Sequence, residues 1–593
     1  MPTVRLPLVG SYNERGISGN TTLTLNEDQR FLNCTFNLVN NPITGKSTIY
    51  AEKRPGWGQD SLVEAGSAST GLIKPQSFSA TLSAFGGTNS TIYFGTTSVG
   101  TITGRALHFT ETLINTVGCV AIKSSDGTGW YYMDGAKDTL SYTCDGNNST
   151  TITDIKVSGV NSVSGLYVGQ QLSAASNIAA GSRIVSINAG AFSAVLDTAT
   201  TGGAFNDLAT TKEPIAKIND TDFVTTGTYI SAFGAMDGYL FYGTDDGNVR
   251  NSDLNSVSAY TAGASIAAQQ APDPLVGVAV QKNVVIAFGL SSNEKFQNAG
   301  FGSGSPLQVI KSQVDHIGAL DQRSITTLED DIYWVSTPSD GDIGVYRMRG
   351  LSATRVSTPN VDRIIGSITN TGGAVYASSF RLGGYPYVGL FCSLASDGPA
   401  SMLLLESGDN LLLESGDHIL LEDAPAQAAS FVRMPIYNTG LNIWSEWDST
   451  IPTFIDSIGG GSSNQILATS RVLTGGKVYR IDPVADGQLY QDDGSSFSMQ
   501  IRTSRINHGS SKRKFVSEIR LIGDRQTSGT ATLECSDDDY TTWRTLGTFD
   551  LTQMQPKITR CGSYEGGRAY RLTHSYNGPC RVEALEIDYQ MAA

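Results

Sequence analysis

Tyr239-Leu-Phe-Tyr-Gly-Thr-Asp-Asp-Gly247 is the stretch whose reading decides the fold. Four β-favouring, mostly aromatic residues are too few for a helix, and the Gly-Thr-Asp-Asp-Gly behind them supplies a tight reversal, so the segment reads as a strand running into a turn. The pattern recurs at Thr91-Ile-Tyr-Phe94, Val284-Val-Ile-Ala-Phe288 and Asp331-Ile-Tyr-Trp-Val335. From roughly residue 60 to 490 such turn signals fall about every 8 to 15 residues, the rhythm of propeller blades or a large sandwich. With two insertions set aside, roughly 330 residues remain, and at about 40 to 45 residues per blade this permits six to eight blades.

The first insertion spans 144–209, a stretch of low charge with regular Val/Ile alternation and no tryptophan. Trp130-Tyr-Tyr-Met133 before it and Lys212-Glu-Pro-Ile-Ala-Lys-Ile218 after it read as halves of one interrupted blade, so a small β-domain should protrude from a loop. The second is an eight-residue repeat over 403–422, Leu403-Leu-Leu-Glu-Ser-Gly-Asp-Asn410, then Leu411-Leu-Leu-Glu-Ser-Gly-Asp-His418, then Ile419-Leu-Leu-Glu422. Four-residue apolar strands alternating with Ser-Gly-Asp turns predict a β-tongue, marginal alone and suited to packing on a neighbouring blade or subunit. Its turn residues Asp409, Asp417 and His418 are candidate docking groups. The expected class is all-β: a β-propeller-like body with an inserted small β-domain and a C-terminal antiparallel β-sandwich. The boundaries are 1–143 for the N-terminal strands and first blades, 144–209, 210–494 for the remaining blades with the tongue, and 495–593 for the sandwich.

The 593 residues leave room for several cores, and with 65 glycines and 16% charged residues an all-helical protein is excluded. The net charge of -15 argues against a protein that grips nucleic-acid phosphates over its surface. Residues 501–593, by contrast, carry 13 Lys/Arg against 11 Asp/Glu, so the last domain should face a different partner from the acidic body. Within it Lys512-Arg513-Lys514 is a solvated strand entry or a docking patch for an acidic surface. The opening residues lack a signal-peptide pattern and no run of 18 or more apolar residues occurs, so a soluble chain without membrane insertion is expected. The seven cysteines show no CxxC spacing and read as reduced, mostly buried thiols.

Candidate chemistry is sparse. Asn40-Asn-Pro-Ile-Thr-Gly-Lys-Ser47 imitates a phosphate loop but lacks the first glycine and a following helix, so it reads as a turn. Gly300-Phe-Gly-Ser-Gly304 is a flexible loop with no βαβ unit around it. The acid pairs Asp245-Asp246, Asp330-Asp331 and Asp492-Asp493 sit where β-turns need them, and no partner that would raise a carboxyl pKa is evident. The five histidines show no metal spacing. Catalytic, cofactor and metal residues are therefore all expected to be none. Ser536-Asp-Asp-Asp-Tyr-Thr-Thr-Trp543 resembles the Asp-box turn of sialidase-type propellers, with Tyr540 where the box has glycine.

Three segments resemble one family, the tail nozzle or packaged-DNA stabilisation proteins of short-tailed bacteriophages. They are Gln29-Arg-Phe-Leu-Asn-Cys34 with Lys53-Arg-Pro-Gly-Trp57; the run from Val284 to Ile364, which holds Glu294-Lys-Phe296, Trp334 and Arg355-Val-Ser-Thr358; and the box with Gly567-Arg-Ala-Tyr-Arg-Leu572. The resemblance implies a non-enzymatic virion protein of the tail, made in the host bacterial cytoplasm. It would be a homo-hexameric ring below the portal and adaptor ring that extends the DNA channel and retains packaged DNA without specific binding. It would dock tail fibres or spikes and meet a tail needle. The other class that fits a propeller is a glycan-binding or glycan-hydrolysing tail protein.

Overall fold

The computed structural model describes residues 3–9, 29–40, 47–64, 69–73, 78, 85–88, 90–94, 97–104, 106–134, 141–146, 148–172, 177–179, 182–201, 205–224, 227–268, 273–311, 314–336, 343–369, 373–393, 434–449, 454–458, 465–469, 477–481 and 490–592. Among them, seven four-stranded antiparallel units follow one another. Blade 1 is Ser69–Ile73, Phe85–Thr88, Thr91–Phe94 and Thr97–Thr101. Blade 2 is Ala106–Ile114, Val117–Ser124, Gly129–Met133 and, after the insertion, Phe205–Lys217. Blades 3, 4 and 5 cover Gly234–Ala267, Leu275–Val309 and Ile325–Arg355, and blade 6 is Ala374–Leu382, Tyr385–Ser393, Met434–Asn438 and Ile443–Trp447. Blade 7 takes Phe454–Ile458, Gln465–Thr469 and Lys477–Ile481 from late in the chain and its outermost strand, Gly58–Glu64, from early in it.

The first strand of each blade lies next to the first strand of the following blade, and blade 7 returns to blade 1, so the ring is closed. Apolar cores fill successive gaps, as with Phe241 and Phe296 between blades 3 and 4, and Phe288 and Trp334 between blades 4 and 5. This explains why the second strands read as nearly continuous apolar runs. All six residues of Asp331–Ser336 are buried because a neighbouring blade covers each face. The one α-helix among the described residues, Pro359–Thr369, links blades 5 and 6. Proline opens it, and it turns Val361, Ile364, Ile365 and Ile368 into the core there.

The insertion is attached between the third and outermost strands of blade 2, at the rim. Phe205–Lys217 serves both units: its first half pairs with Ser141–Gly146 of the insertion, and its end, Ala216-Lys217, pairs with Trp130-Tyr131 of the blade. The insertion has its own core of Tyr142, Ile152, Ile155, Leu172, Ile184 and Leu196.

The sandwich departs from the expected boundary. Four strands from the first 53 residues belong to it: Thr3–Pro7, Arg30–Leu32, Cys34–Asn40 and Ser47–Lys53. One sheet joins Cys34–Asn40 and Ser47–Lys53 to Arg581–Met591, Lys514–Gly523 and Lys557–Thr559. In the other, Arg30–Leu32 pairs parallel with Ile443–Trp447 of blade 6 and antiparallel with Met499–Arg502, which leads on to Ala569–His574, Thr530–Ser536 and Arg544–Asp550. Blade 6 and half of the sandwich are thus one nine-stranded sheet, and the propeller is inserted within the sandwich. Phe31, Phe36, Ile519, Leu533, Phe549, Leu572 and Leu585 pack between the sandwich sheets.

Candidate functional site

The two halves of the first resemblance segment meet at the junction of propeller and sandwich. Asn33, held left-handed at φ 55, accepts the Asp448 amide (2.9 Å) and the Arg54 Nε–H (2.9 Å) on its side-chain oxygen and donates its Nδ2 to the Ser498 carbonyl (2.8 Å). Arg54 is fully buried. Beyond Asn33 its guanidinium donates to both Asp492 oxygens (2.9 and 2.6 Å) and to the Pro55 and Asp448 carbonyls (3.1 Å each), so all five N–H groups are used. The Phe497 ring stacks 3.9 Å from it. Gly56 is required because a Cβ there would lie 2.0 Å from the Gln491 carbonyl oxygen, and buried Trp57 enters the core that blades 6 and 7 share. The hydroxyls of Tyr385 and Tyr387 in blade 6 accept the Leu38 and Phe36 amides (2.7 and 3.4 Å), covering the otherwise open edge of the sandwich. Burial pushes Lys53 down to about 8 beside this junction, and burial reinforced by Lys53 pushes His574 down to about 4.

The second segment builds the joint between blades 4 and 5. Asn293, Glu294 and Lys295 are buried, Lys295 pairs with Asp315 at 2.7 Å, and Trp334 donates its indole N–H to the Gly318 carbonyl (2.9 Å). The third segment closes on itself: Asp537 of the box binds buried Arg568 bidentately (2.6 and 2.8 Å), and Arg571 stacks 4.3 Å over Trp543. Asp538 accepts from the Ser536 hydroxyl (2.8 Å) and the Thr542 amide (3.0 Å), and Tyr540 takes φ 67 where the box has glycine.

The Thr542 and Ser536 bonds bring the Asp538 carboxyl down to about 2 from an ordinary 3.8. Because the folded value is depressed, the turn's contribution is full above pH 4 and is lost as the pH falls through about 2. Asp538→Asn should remove this acid limb of local stability, read as amide exchange at 536–543. An unchanged profile would contradict the assignment.

The candidate docking residues separate. Lys512 is exposed, and exposed Arg513 pairs with Glu565 at 2.9 Å. Lys514 corrects the expectation: it is fully buried, donating to the Ser510, Lys512 and Gly566 carbonyls beside the Tyr564 ring, so it cannot reach a partner. Asp409, Asp417 and His418, with the whole tongue, lie outside the described residues.

The acid pairs hold structure. Asp246 accepts from Thr244 and pairs with Arg250, Asp245 accepts the Thr228 amide, Asp331 binds Arg349 and Asp492 binds Arg54. In the phosphate-loop mimic Asn40 pairs opposite Ser47, so the segment joins a hairpin. All seven cysteines are free and buried. Among the described residues no cluster of three metal-ligating side chains occurs, and no helix is long and apolar enough to cross a membrane.

Fold and junction together define an all-β propeller protein whose sequence landmarks serve architecture. Residues 179–377 match the family model described as "Phage_stabilise: Bacteriophage P22 Gp10, beta-propeller", which supports the resemblance over that span. The match supports a phage structural protein. No curated protein matches the sequence. Among solved structures, BBS1N in complex with ARL6DN is 10% identical, covering 73% of this chain and 98% of that one at a TM-score of 0.35. An exo-beta-1,3-galactanase from Phanerochaete chrysosporium is 9% identical, covering 62% and 98% at 0.24. The dihydro-heme d1 dehydrogenase NirN is 10% identical, covering 90% and 80% at 0.28. Scores this low carry no functional information.

Proposed function

We propose that this chain forms the tail nozzle: a ring of six copies below the portal and adaptor that extends the DNA channel, retains the packaged genome and docks fibres or spikes. The family match over residues 179–377, which hold blades 3 to 5, carries the reading. The seamless sheet from blade 6 into the sandwich supports it, because a channel that holds pressurised DNA needs subunits whose parts do not hinge. Charge is consistent as well. Six copies of a -15 chain make an acidic conduit along which DNA slides without adhering. The tongue over 403–422, with Asp409, Asp417 and His418, and the exposed Lys512-Arg513 corner are the proposed contacts between subunits or with the adaptor, since closed rings join unlike faces.

Mass photometry and particle images of the purified chain, alone and with adaptor rings, test this. A sixfold ring with a central bore is expected, while a monomer or trimer indifferent to adaptors would overturn the reading. The double variant Lys512→Glu, Arg513→Glu should weaken assembly at physiological salt with the melting temperature unchanged. Lys514→Glu, by contrast, should lower the melting temperature itself, because it places a carboxylate among carbonyl oxygens. Full assembly of the double variant would remove this corner from the interface.

A further inference from the structure

A cleft of about 590 Å³ opens between blades 4 and 5, on the face that carries their first hairpin turns. Its walls include Lys282 and Asn283 from the turn of blade 4, Gln297 from that blade's third strand, and Asp330, Asp331 and Arg349 from blade 5. The charged groups here are already matched. Lys282 pairs with Asp330 (3.0 Å), Arg349 grips Asp331 with two nitrogens (2.7 and 3.1 Å), and Glu329 at the rim pairs with Arg381 of blade 6. What remains for a ligand is uncharged. The side-chain amides of Asn283 and Gln297 are exposed in the cleft, whose lining also includes the aliphatic side chains of Val284, Ile310 and Leu351.

The turns have a further peculiarity. The corresponding loops of blades 3 and 6 place glycine in at least one of their two positions, Asp237-Gly238 and Gly383-Gly384. Blade 2 uses left-handed Asn115 and Thr116, and blades 4 and 5 put the longer Lys282 (φ 52) and Glu329 (φ 57) in that conformation, which costs about 1 kcal/mol or more for such residues. Long side chains are therefore kept at the mouth of the cleft where glycine would be easier.

We infer that this cleft binds a neutral carbohydrate of one to three sugar units. The volume lies within the usual range of small-molecule sites. The paired charges nearly cancel, so the cleft presents no strong field of one sign to attract a charged ligand. Planar amides and paired carboxylates can share the vicinal hydroxyls of a sugar, and the aliphatic patch suits the C–H face of its ring. The site is separate from the propeller–sandwich junction and does not depend on the ring assembly proposed above, so either can fail alone.

The test is saturation-transfer NMR on the full chain with a panel of neutral hexose and N-acetylhexosamine mono-, di- and trisaccharides at millimolar concentration. At least one sugar is expected to bind, with hydrogen-exchange protection confined to 281–284, 297–298 and 349–351. The variant Asn283→Ala, Gln297→Ala should weaken it about tenfold or more at an unchanged melting temperature, the loss expected of two polar contacts. Absence of binding across the panel, protection mapping elsewhere, or a double variant that binds as well as the parent would each overturn the inference.

Discussion

Arg54→Ala should lower the melting temperature by about 2–4 °C, which for a chain of this length corresponds to about 3–5 kcal/mol lost when one partner of a buried ion pair is removed. The size follows from what the guanidinium leaves behind. Asp492 stays nearly buried with its charge uncompensated, the Asn33 oxygen and the Pro55 and Asp448 carbonyls each lose a donor, and Phe497 loses its stacking partner. Arg54→Lys should recover only part of the loss, because a point charge cannot reproduce a planar fork that reaches four residues. Since these residues belong to the sandwich, to blade 6 and to the entry of blade 7's closing strand, the variant should also become cleavable by trypsin after Lys53, which is buried at the junction. A calorimetric melt and a proteolysis time course check both statements, and a parental melt would show that the junction is held elsewhere.

Gly169→Ala should detach the insertion from its blade, at a cost of about 2–4 kcal/mol. Gly169 sits at φ 85, and a Cβ would fall 1.9 Å from the Lys217 carbonyl oxygen, a backbone atom that cannot rotate away. The same residue donates to the Ile184 carbonyl (2.6 Å) and accepts from the Lys217 amide (3.2 Å) and from Arg183 (2.8 Å), tying the insertion to the strand it shares with blade 2. Hydrogen exchange should accelerate across 141–217 and stay unchanged in blades 3 to 5. Uniform acceleration would mean that the insertion supports the whole ring.

The strands were legible because blade packing buries both faces of the second strands, which makes them short apolar runs. The Asp box was legible because its spacing is set by hydrogen bonds within eight residues. Residues 3–53 could be read as strands but not placed: alternation reveals a strand, whereas the partner of Arg30–Leu32, more than 400 residues away, leaves no local trace. The seven-blade count was hidden for a similar reason, since turns within a blade and turns between blades use the same residue types. The burial of Lys514 did leave a signal. It stands two positions before inward-facing Val516 in an alternating strand, so the period-two pattern points both side chains the same way. Neither the cleft nor the Arg54 network could be foreseen, because each gathers residues from distant segments.

The insertion of the propeller within the sandwich also sets an order of events during synthesis. At about 5–20 residues per second, Arg30–Leu32 leaves the ribosome roughly half a minute to a minute and a half before its partner Met499–Arg502 exists. The earliest strands must wait through the making of all seven blades, and Gly58–Glu64 waits nearly as long for the three strands it completes. A transcript broken anywhere before residue 499 therefore yields a chain with an unfinished sandwich. Only chains extended through Arg581–Met591 carry the finished junction, so the topology itself inspects each copy as it is made.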